Sequence, residues 1–367
     1  MQIAIVGLAG SGKTTVFNTL TRGHAETGGF GGMELHVGVV KVPDDRLDKL
    51  AAIFKPKKII QADVTYVDLP APPASSEGHV GTEDLPAEHL ARLRDSDALL
   101  HVVRAFEDPA NPHLEGSVDL ARDIDRLDVE FMLADLALVD RRLERLKQSG
   151  RHGTPAEKES NEREEAVILR LKAALEAGSP IRGVELDADE EKAVRGFRFL
   201  TQKPVLVLLN VGEGDLGGAG ERVAALAASY DHRQALVDAL SAKIEMELGE
   251  LEPDEAAVFM EELGIAESGL DRVIALSYRL LGLISFLTAG PDEVRAWPIR
   301  DGSNAVDAAG AIHSDLAKGF IRAETIGYEE LLTLGSMADA KKAGKLRSEG
   351  KTYRVRDGDV VEILFSK

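Results

Sequence analysis

A glycine-rich segment near the amino terminus separates a short apolar run from a helix-like one. Residues 2–6 (QIAIV) are typical of a buried parallel strand, and helical spacing begins at Thr14. The pattern G-x-x-x-x-G-K-[ST] is filled by Gly7, Gly10, Gly12, Lys13 and Thr14. Glycines let backbone N–H groups curve around phosphate oxygens, and the following helix points its positive end at the same anion. The segment therefore predicts a nucleotide site.

Two side chains carry the chemistry expected of this loop. Lys13 is placed to reach the β- and γ-phosphates, and the Thr14 hydroxyl is placed to bind Mg²⁺. The residues expected to contact the nucleotide are Ala9, Gly10, Ser11, Gly12, Lys13, Thr14 and Thr15. The alternative is a glycine-rich turn with an incidental lysine, which the strand before it and the helix after it disfavour.

Composition limits the remaining possibilities. A chain of 367 residues suggests two or three domains. The net charge of −19 argues against overall attraction to nucleic acid or membrane, so we expect no recognition of DNA sequence, and any RNA contact must come from a local basic patch. The chain has no Cys and begins directly with a strand rather than a signal peptide, which together predict a cytoplasmic protein. The most apolar stretch, 273–289, is interrupted by Arg279 and predicts a buried helix.

Strand-like and helix-like segments alternate over much of the chain, which predicts a parallel sheet with helices on its faces. The predicted strands are 36–42, 62–68, 98–103, 204–209 and 234–240. The predicted helices in this part are 85–94, 255–262 and 269–287. Two amphipathic helices, 120–147 and 156–176, flank a turn and predict an inserted antiparallel hairpin. The tail predicts a small α+β module with strands 295–299, 321–326, 352–355 and 360–365 around a helix at 305–317.

Polar residues follow two of the buried strands, at the edge where open α/β sheets bind ligands. Asp68 ends one strand, and Asn210-Val211-Gly212-Glu213 ends another with the spacing of the Asn-Lys-x-Asp motif of GTP-binding folds. The glutamate at position 213 is one methylene longer than the motif's aspartate, which spoils a bidentate contact with guanine and makes relaxed or adenine-directed specificity plausible. Asn210 should tie this loop to the phosphate loop. A third segment, Ser241-Ala242-Lys243, should line the other side of the base.

Long stretches in chain order resemble the YchF/Obg-like ATPase family of P-loop proteins. They include VGVVKVPDDRLDKL, DALLHVVRAFED, RDIDRLDVEFMLADL, SAKIEMEL, FLTAGPDEVRAW and AGKLRSEGKTYRVRDGDVVEILF. The resemblance implies an α/β fold: a Ras-like nucleotide (G) domain, an inserted helical hairpin and a C-terminal TGS domain. The bounds expected for these parts are 1–122 with 197–280, 123–196 and 281–367. It also implies binding and hydrolysis of ATP in preference to GTP, with Mg²⁺ held by Thr14 and Asp68, and association with ribosomes.

Three departures from the family pattern bear on hydrolysis. The phosphate loop reads GLAGSGKT where the family usually has GLPNVGKS. Gly32 stands where the family's first switch carries a Mg²⁺-binding threonine, and Ala71 replaces the glycine of D-x-x-G. Loss of one donor to the γ-phosphate costs on the order of a hundredfold in rate. With Lys13 and Asp68 as the remaining catalytic residues, we expect nucleotide binding with slow or absent turnover.

Partners and alternatives follow from the same residues. Seven basic residues with Tyr353 among them could contact RNA through the TGS domain: Lys341, Lys342, Lys345, Arg347, Lys351, Arg354 and Arg356. The helical hairpin is a second candidate surface for the ribosome, and we expect a monomer without membrane partners. Two other functions remain open at this point, a hydrolytically inactive nucleotide-binding module and a small-molecule kinase. The Asn210–Glu213 loop and the TGS-like tail disfavour the kinase.

Overall fold

The computed structural model describes residues 1–23, 35–69, 87–149 and 154–366. The strands are β1 Gln2–Val6, β2 His36–Lys41, β3 Lys58–Ile60, β4 Asp63–Asp68, β5 Ala98–Ala105, β6 Val205–Val211, β7 Ala235–Leu240, β8 Leu283–Ala289, β9 Glu293–Arg300, β10 Phe320–Gly327, β11 Arg347–Glu349 and β12 Asp359–Phe365. The helices of the first 250 residues are α1 Lys13–Thr21, α2 Asp45–Phe54, α3 Ala87–Asp95, α4 Leu120–Ser149, α5 Pro155–Glu176, α6 Ala188–Val194, α7 Leu216–Ser229 and α8 Ala242–Glu250. The later helices are α9 Pro253–Glu262, α10 Gly269–Leu280, α11 Ala305–Ile312, α12 Ser314–Lys318, α13 Tyr328–Leu334 and α14 Met337–Lys342.

The chain divides into two compact units. One consists of Met1–Gly38 with Tyr66–Leu270, and the other of Val39–Thr65 with Asp271–Lys367. Within the second unit, β3 pairs in parallel with β9, Lys58 opposite Glu293, which explains why the segment from Val39 groups with the C-terminal residues. The expected domain bounds placed that segment in the nucleotide domain, so the two divisions differ there.

One sheet has six strands in the order β2-β4-β1-β5-β6-β7, of which β1, β5, β6 and β7 lie wholly in the first unit. The pairs β1–β5, β5–β6 and β6–β7 are parallel, as the alternating pattern predicts. Every residue of β5 and β6 is buried, which is the burial expected of central strands covered on both faces. Their apolar side chains, among them Leu99, Val103 and Leu209, join the core of this unit. The carboxyl ends of these strands are thereby held in fixed positions.

The inserted helices α4 and α5 pack against each other, as their apolar spacing predicts. Val139 and Leu143 of α4 meet Ile168 and Leu171 of α5 in a shared core cluster. A capping box starts α5 at Thr154. The Thr154 hydroxyl accepts a hydrogen bond from the Glu157 amide, and the Glu157 carboxylate accepts one from the Thr154 amide. No helix in the described part of the chain is long and apolar enough to cross a membrane.

The stretch 273–289 is not one buried helix, and the predicted helix 269–287 is wrong beyond Leu280. Helix α10 ends there, Gly282 takes a positive φ of 65°, and β8 begins at Leu283. Glycine adopts this left-handed conformation without a steric penalty, so it ends the helix cleanly. Strand β8 then pairs antiparallel with β9 in the sheet of the second unit, whose order is β11-β10-β12-β8-β9-β3.

Two further predictions for the second unit need correction. The helix expected at 305–317 is two helices, because His313 between them is extended and its ring Nδ1 accepts a hydrogen bond from the Asp315 amide. The strand expected at 352–355 is reduced to an isolated bridge between Asn304 and Arg354, and the neighbouring strand is β11 instead. The remaining α+β character agrees with the sequence.

Candidate functional site

The glycine-rich loop joins β1 to α1 with the backbone that its glycines permit. Gly10 has a φ of 76° and Gly12 a φ of 91°, both in the left-handed region. A Cβ on Gly12 would lie 2.3 Å from the Asn210 side-chain nitrogen, and one on Gly7 would lie 2.3 Å from the Val102 carbonyl oxygen. Conformation and close packing therefore both require glycine in this loop.

Lys13 lies at the start of α1 with its ammonium group turned back onto the loop. Its Nζ donates to the carbonyl oxygens of Gly7, at 2.8 Å, and Leu8, at 2.9 Å. Burial lowers the pKa of Lys13 to about 8, and the nearby Asp68 charge opposes that shift. The ammonium group is thus held where a phosphate bound to the loop would compensate its lost hydration.

The two residues predicted to bind Mg²⁺ are in contact. The Thr14 hydroxyl donates to Asp68 Oδ2 at 3.1 Å. Asp68 is 1% exposed, and its Oδ1 has no hydrogen-bond partner among the described residues. A buried carboxylate oxygen without a donor, next to a hydroxyl, is a suitable pair of ligands for a hard divalent cation. The residues present therefore fit Mg²⁺.

Asn210 connects the phosphate loop to the third predicted segment. Its Nδ2 donates to the Ser11 carbonyl oxygen at 3.0 Å, and its Oδ1 accepts from the Ala242 amide at 3.1 Å. The predicted tie is therefore present. The side chain is 5% exposed, so both bonds are shielded from water. Ser241 occupies the N-cap position of α8 without a capping bond from its side chain, and its Oγ has no hydrogen-bond partner within the described ranges.

Other predicted contact residues lie in different surroundings. Lys243 forms an ion pair with Glu213, and both side chains are well exposed. Val211 is 2% exposed and its side chain belongs to the core. Ala9 lies in the exposed part of the loop, and Thr15 accepts a hydrogen bond from Thr19 at its carbonyl oxygen. The switch positions Gly32 and Ala71 lie outside the described residues.

Sequence reasoning missed two residues near this site. His36 on β2 has its Nδ1 3.7 Å from Asp68 Oδ2. Arg104, at the end of β5, is 4% exposed and lies beside Gly10. The sequence does carry a signal for Arg104, because a basic residue directly follows the predicted buried strand 98–103. The strand in the structure is longer and includes Arg104. The ring nitrogens of His101 and His113 lie in buried surroundings, and no metal-binding group of three or more His, Asp or Glu occurs among the described residues.

The basic residues of the second unit are partly neutralised within the chain. Arg347 pairs with Asp359, Lys345 with Glu330 and Lys342 with Asp339. The Tyr353 hydroxyl donates to Asp359 at 2.7 Å, and the Arg347 guanidinium lies 5.5 Å from the ring centroid. Of the seven basic residues predicted to contact RNA, four are exposed and form no ion pair with a described residue: Lys341, Lys351, Arg354 and Arg356.

The fold and this loop together define a P-loop nucleotide-binding protein of the GTPase type. Residues 2–134 match MMR_HSR1, described as "50S ribosome-binding GTPase", and residues 283–366 match YchF-GTPase_C, described as "Protein of unknown function (DUF933)". The chain belongs to the YchF family. It is 42% identical over 371 residues to the "Ribosome-binding ATPase YchF" of Bacillus subtilis and 39% identical over 369 residues to that of Escherichia coli O157:H7, covering all of this chain and 99% of each relative.

A solved structure is similar over almost the whole length. The "Structure of the Schizosaccharomyces pombe YchF GTPase" superposes with a TM-score of 0.86 at 30% sequence identity, covering 99% of this chain and 97% of that one. Agreement over this length includes both compact units and the inserted helices. The family resemblance inferred from the sequence is therefore confirmed.

Proposed function

We propose that this chain is a ribosome-associated ATPase that binds Mg²⁺·ATP at the loop of residues 7–14. The contact between the Thr14 hydroxyl and the Asp68 carboxylate, beside the Lys13 ammonium group, is the observation that carries this proposal. Bound Mg²⁺ would supply neutralising charge at the β- and γ-phosphates. Lys13, Thr14 and the loop amides would hold the triphosphate in place.

The preference for ATP rests on the loop after β6. The loop from Asn210 to Glu213 would lie on one side of the base, and Ser241, Ala242 and Lys243 would lie on its other side. Glu213 is already paired with Lys243, and its side chain is one methylene longer than the aspartate that makes a bidentate contact with guanine N–H groups. Relatives from Bacillus subtilis and Escherichia coli carry the name ribosome-binding ATPase, which supports the same choice.

We further propose that turnover is slow. Gly32 has no hydroxyl to complete the Mg²⁺ shell, and Ala71 is flanked by Pro70 and Pro72, which fix φ and lack N–H donors. A protein that binds ATP without hydrolysing it would be a regulatory module, and Gly32 and Ala71 favour this second function. The ribosome contact would come from the hairpin α4–α5 or from the basic residues of the C-terminal TGS domain.

Calorimetric titration with ATP and GTP, each with and without Mg²⁺, tests the nucleotide part of the proposal. We expect tighter binding of ATP, dependence on Mg²⁺, and loss of binding in Lys13→Ala. Phosphate release under saturating Mg²⁺·ATP separates a slow ATPase from the inactive module. Cosedimentation with purified ribosomes, with ATP or ADP present, tests the partner. Equal GTP and ATP affinity, or unchanged binding in Lys13→Ala, would overturn the proposal.

A further inference from the structure

Arg104 is a buried cation at the carboxyl end of β5. It is 4% exposed and makes no ion pair among the described residues. The half-buried Asp108 carboxylate feels the Arg104 charge only weakly: hydrogen bonds from Asn111 and Ala110 are the main cause that lowers the pKa of Asp108, and the Arg104 charge adds to them. An arginine is always charged, and a buried charge needs compensation. Among the described residues, few groups compensate the charge of Arg104.

The guanidinium group holds the following loop through two of its three nitrogens. Nε donates to the Phe106 carbonyl oxygen at 3.1 Å, and Nη2 donates to the Asn111 carbonyl oxygen at 2.8 Å. The plane also lies 4.8 Å from the centroid of the Phe106 ring. The segment 106–111 is thereby fixed to the end of β5, where the ligand edge of the sheet lies.

The third nitrogen faces the phosphate loop. Nη1 lies 3.3 Å from the position that a Cβ on Gly10 would occupy, and it donates no hydrogen bond within the described residues. Arg104 is also the register partner of Asn210 on the neighbouring strand β6, so both side chains leave the sheet toward the same loop. Side chains at two adjacent strand ends therefore contact the loop: Asn210 bonds to Ser11, and Arg104 lies beside Gly10.

This cation has no counterpart in the loop after β6. The second position of the Asn-Lys-x-Asp motif is Val211 here, which is buried and apolar. The lysine of the motif is therefore absent at position 211, and Arg104 places a fixed positive charge next to the phosphate loop. An anion bound in the loop is the remaining source of compensating charge.

We propose that Arg104 is a positioning residue of the nucleotide site, which orders residues 106–111 and stabilises the phosphate loop in its anion-bound state through its charge. The inference rests on the proposed binding of ATP and deepens it. Because the effect is electrostatic, it should grow with the number of phosphates and weaken with added salt. A purely structural arginine would affect ATP and ADP equally and show no dependence on salt.

The test compares Arg104→Met and Arg104→Lys with the wild type by calorimetry with ATP and with ADP at two salt concentrations. We expect Arg104→Met to bind ATP on the order of tenfold more weakly, with a smaller loss for ADP and a weaker response to salt. Arg104→Lys keeps the charge and should recover most of the loss. Arg222→Met is the matched control, because Arg222 donates to the adjacent Ala105 carbonyl oxygen but pairs with Asp215.

The outcomes separate the two proposals. If the wild type binds neither nucleotide, the proposed function fails. If it binds ATP and Arg104→Met binds it equally well, or loses ATP and ADP affinity equally, only the role of Arg104 is refuted. Should Arg104→Met not fold, amide exchange of the wild type decides: ATP should slow exchange at 106–111 more than ADP does, and equal protection contradicts the proposal.

Discussion

The Thr14 hydroxyl donates a 3.1 Å hydrogen bond to the Asp68 carboxylate, although 54 positions separate the two residues. The contact joins the start of α1 to the end of β4 and brings together the two oxygen groups that are predicted to bind Mg²⁺. Bound Mg²⁺ would take the place of the hydroxyl proton beside the carboxylate and would give Asp68 Oδ1 a partner as well. This relationship makes the metal dependence of binding a direct test of the site.

Removing the Thr14 hydroxyl should uncouple ATP binding from Mg²⁺. Thr14→Val keeps the volume and branching but loses the oxygen, so we expect Mg²⁺-dependent ATP affinity to fall about tenfold to a hundredfold. Thr14→Ser retains the hydroxyl and should remain close to the wild type. Titration of Mg²⁺ at fixed ATP measures the effect. Superimposable Mg²⁺ curves for Thr14→Val and Thr14→Ser would contradict the assignment of Thr14 as a metal ligand.

Asn210 should contribute to both stability and nucleotide affinity, because it bonds two loops at once. Asn210→Ala removes its hydrogen bonds to the Ser11 carbonyl and the Ala242 amide and leaves these buried groups unpaired. At roughly 1 kcal/mol or more for each, we expect the free energy of unfolding to fall by about 2–3 kcal/mol. ATP affinity should fall with it, since the phosphate loop loses its support.

The control for this effect is an asparagine that caps a helix far along the chain. Asn304 accepts hydrogen bonds from the Val306 and Asp307 amides at the start of α11. Asn304→Ala should cost about 1 kcal/mol of stability and leave ATP affinity unchanged. Denaturant unfolding and calorimetry on the two variants measure both quantities. Equal ATP affinities in Asn210→Ala and Asn304→Ala would refute the supporting role of Asn210.

Local sequence patterns predicted most residues of the candidate site. They did not predict the long-range pairing of β3 with β9 or the buried charge of Arg104. The spacing from Gly7 to Thr14 specifies the loop, and the fold class brings Asn210 to it across 199 positions. Arg104 was missed because the predicted strand ended one residue before it, at Val103, and a basic residue after a strand is not specific to a nucleotide site. The partner of β3 is 235 positions away, between Lys58 and Glu293, and no periodicity reports such pairing. Gly282 could have indicated the end of α10, but the apolar residues on both sides of it favoured one continuous helix.

The length of the Glu213 side chain should set the preference between ATP and GTP. Glu213→Asp restores the aspartate of the GTP-binding motif and frees the carboxylate from its pair with Lys243. We expect GTP affinity relative to ATP affinity to rise on the order of tenfold, the value of one good bidentate contact to a base. Asp215→Glu changes a neighbouring exposed carboxylate by one methylene and should leave the ratio unchanged. Competition between the two nucleotides measures it, and an unaltered ratio in Glu213→Asp would remove Glu213 from base recognition.

His101 should make the protein less stable in mild acid. It is 2% exposed on β5, and burial, with the charges of Lys13 and Arg182 adding to it, lowers the pKa of His101 from 6.5 to about 3. Between these values the unfolded chain binds a proton that the folded chain does not. The free energy of unfolding therefore falls as the pH drops below about 6.5, with a contribution from His101 of about 1.4 kcal/mol per pH unit.

The difference between variants isolates this contribution from that of the carboxylates. Glutamine at position 101 cannot take up the proton in the unfolded state. The difference in free energy of unfolding between the wild type and His101→Gln should therefore become smaller as the pH is lowered from 6.5 to 5. His313→Gln makes the same change from imidazole to amide at an exposed position and serves as the control for the substitution itself. Denaturant unfolding at several pH values supplies the free energies. Parallel slopes for wild type and His101→Gln would mean that burial in the folded sheet does not lower the pKa of His101.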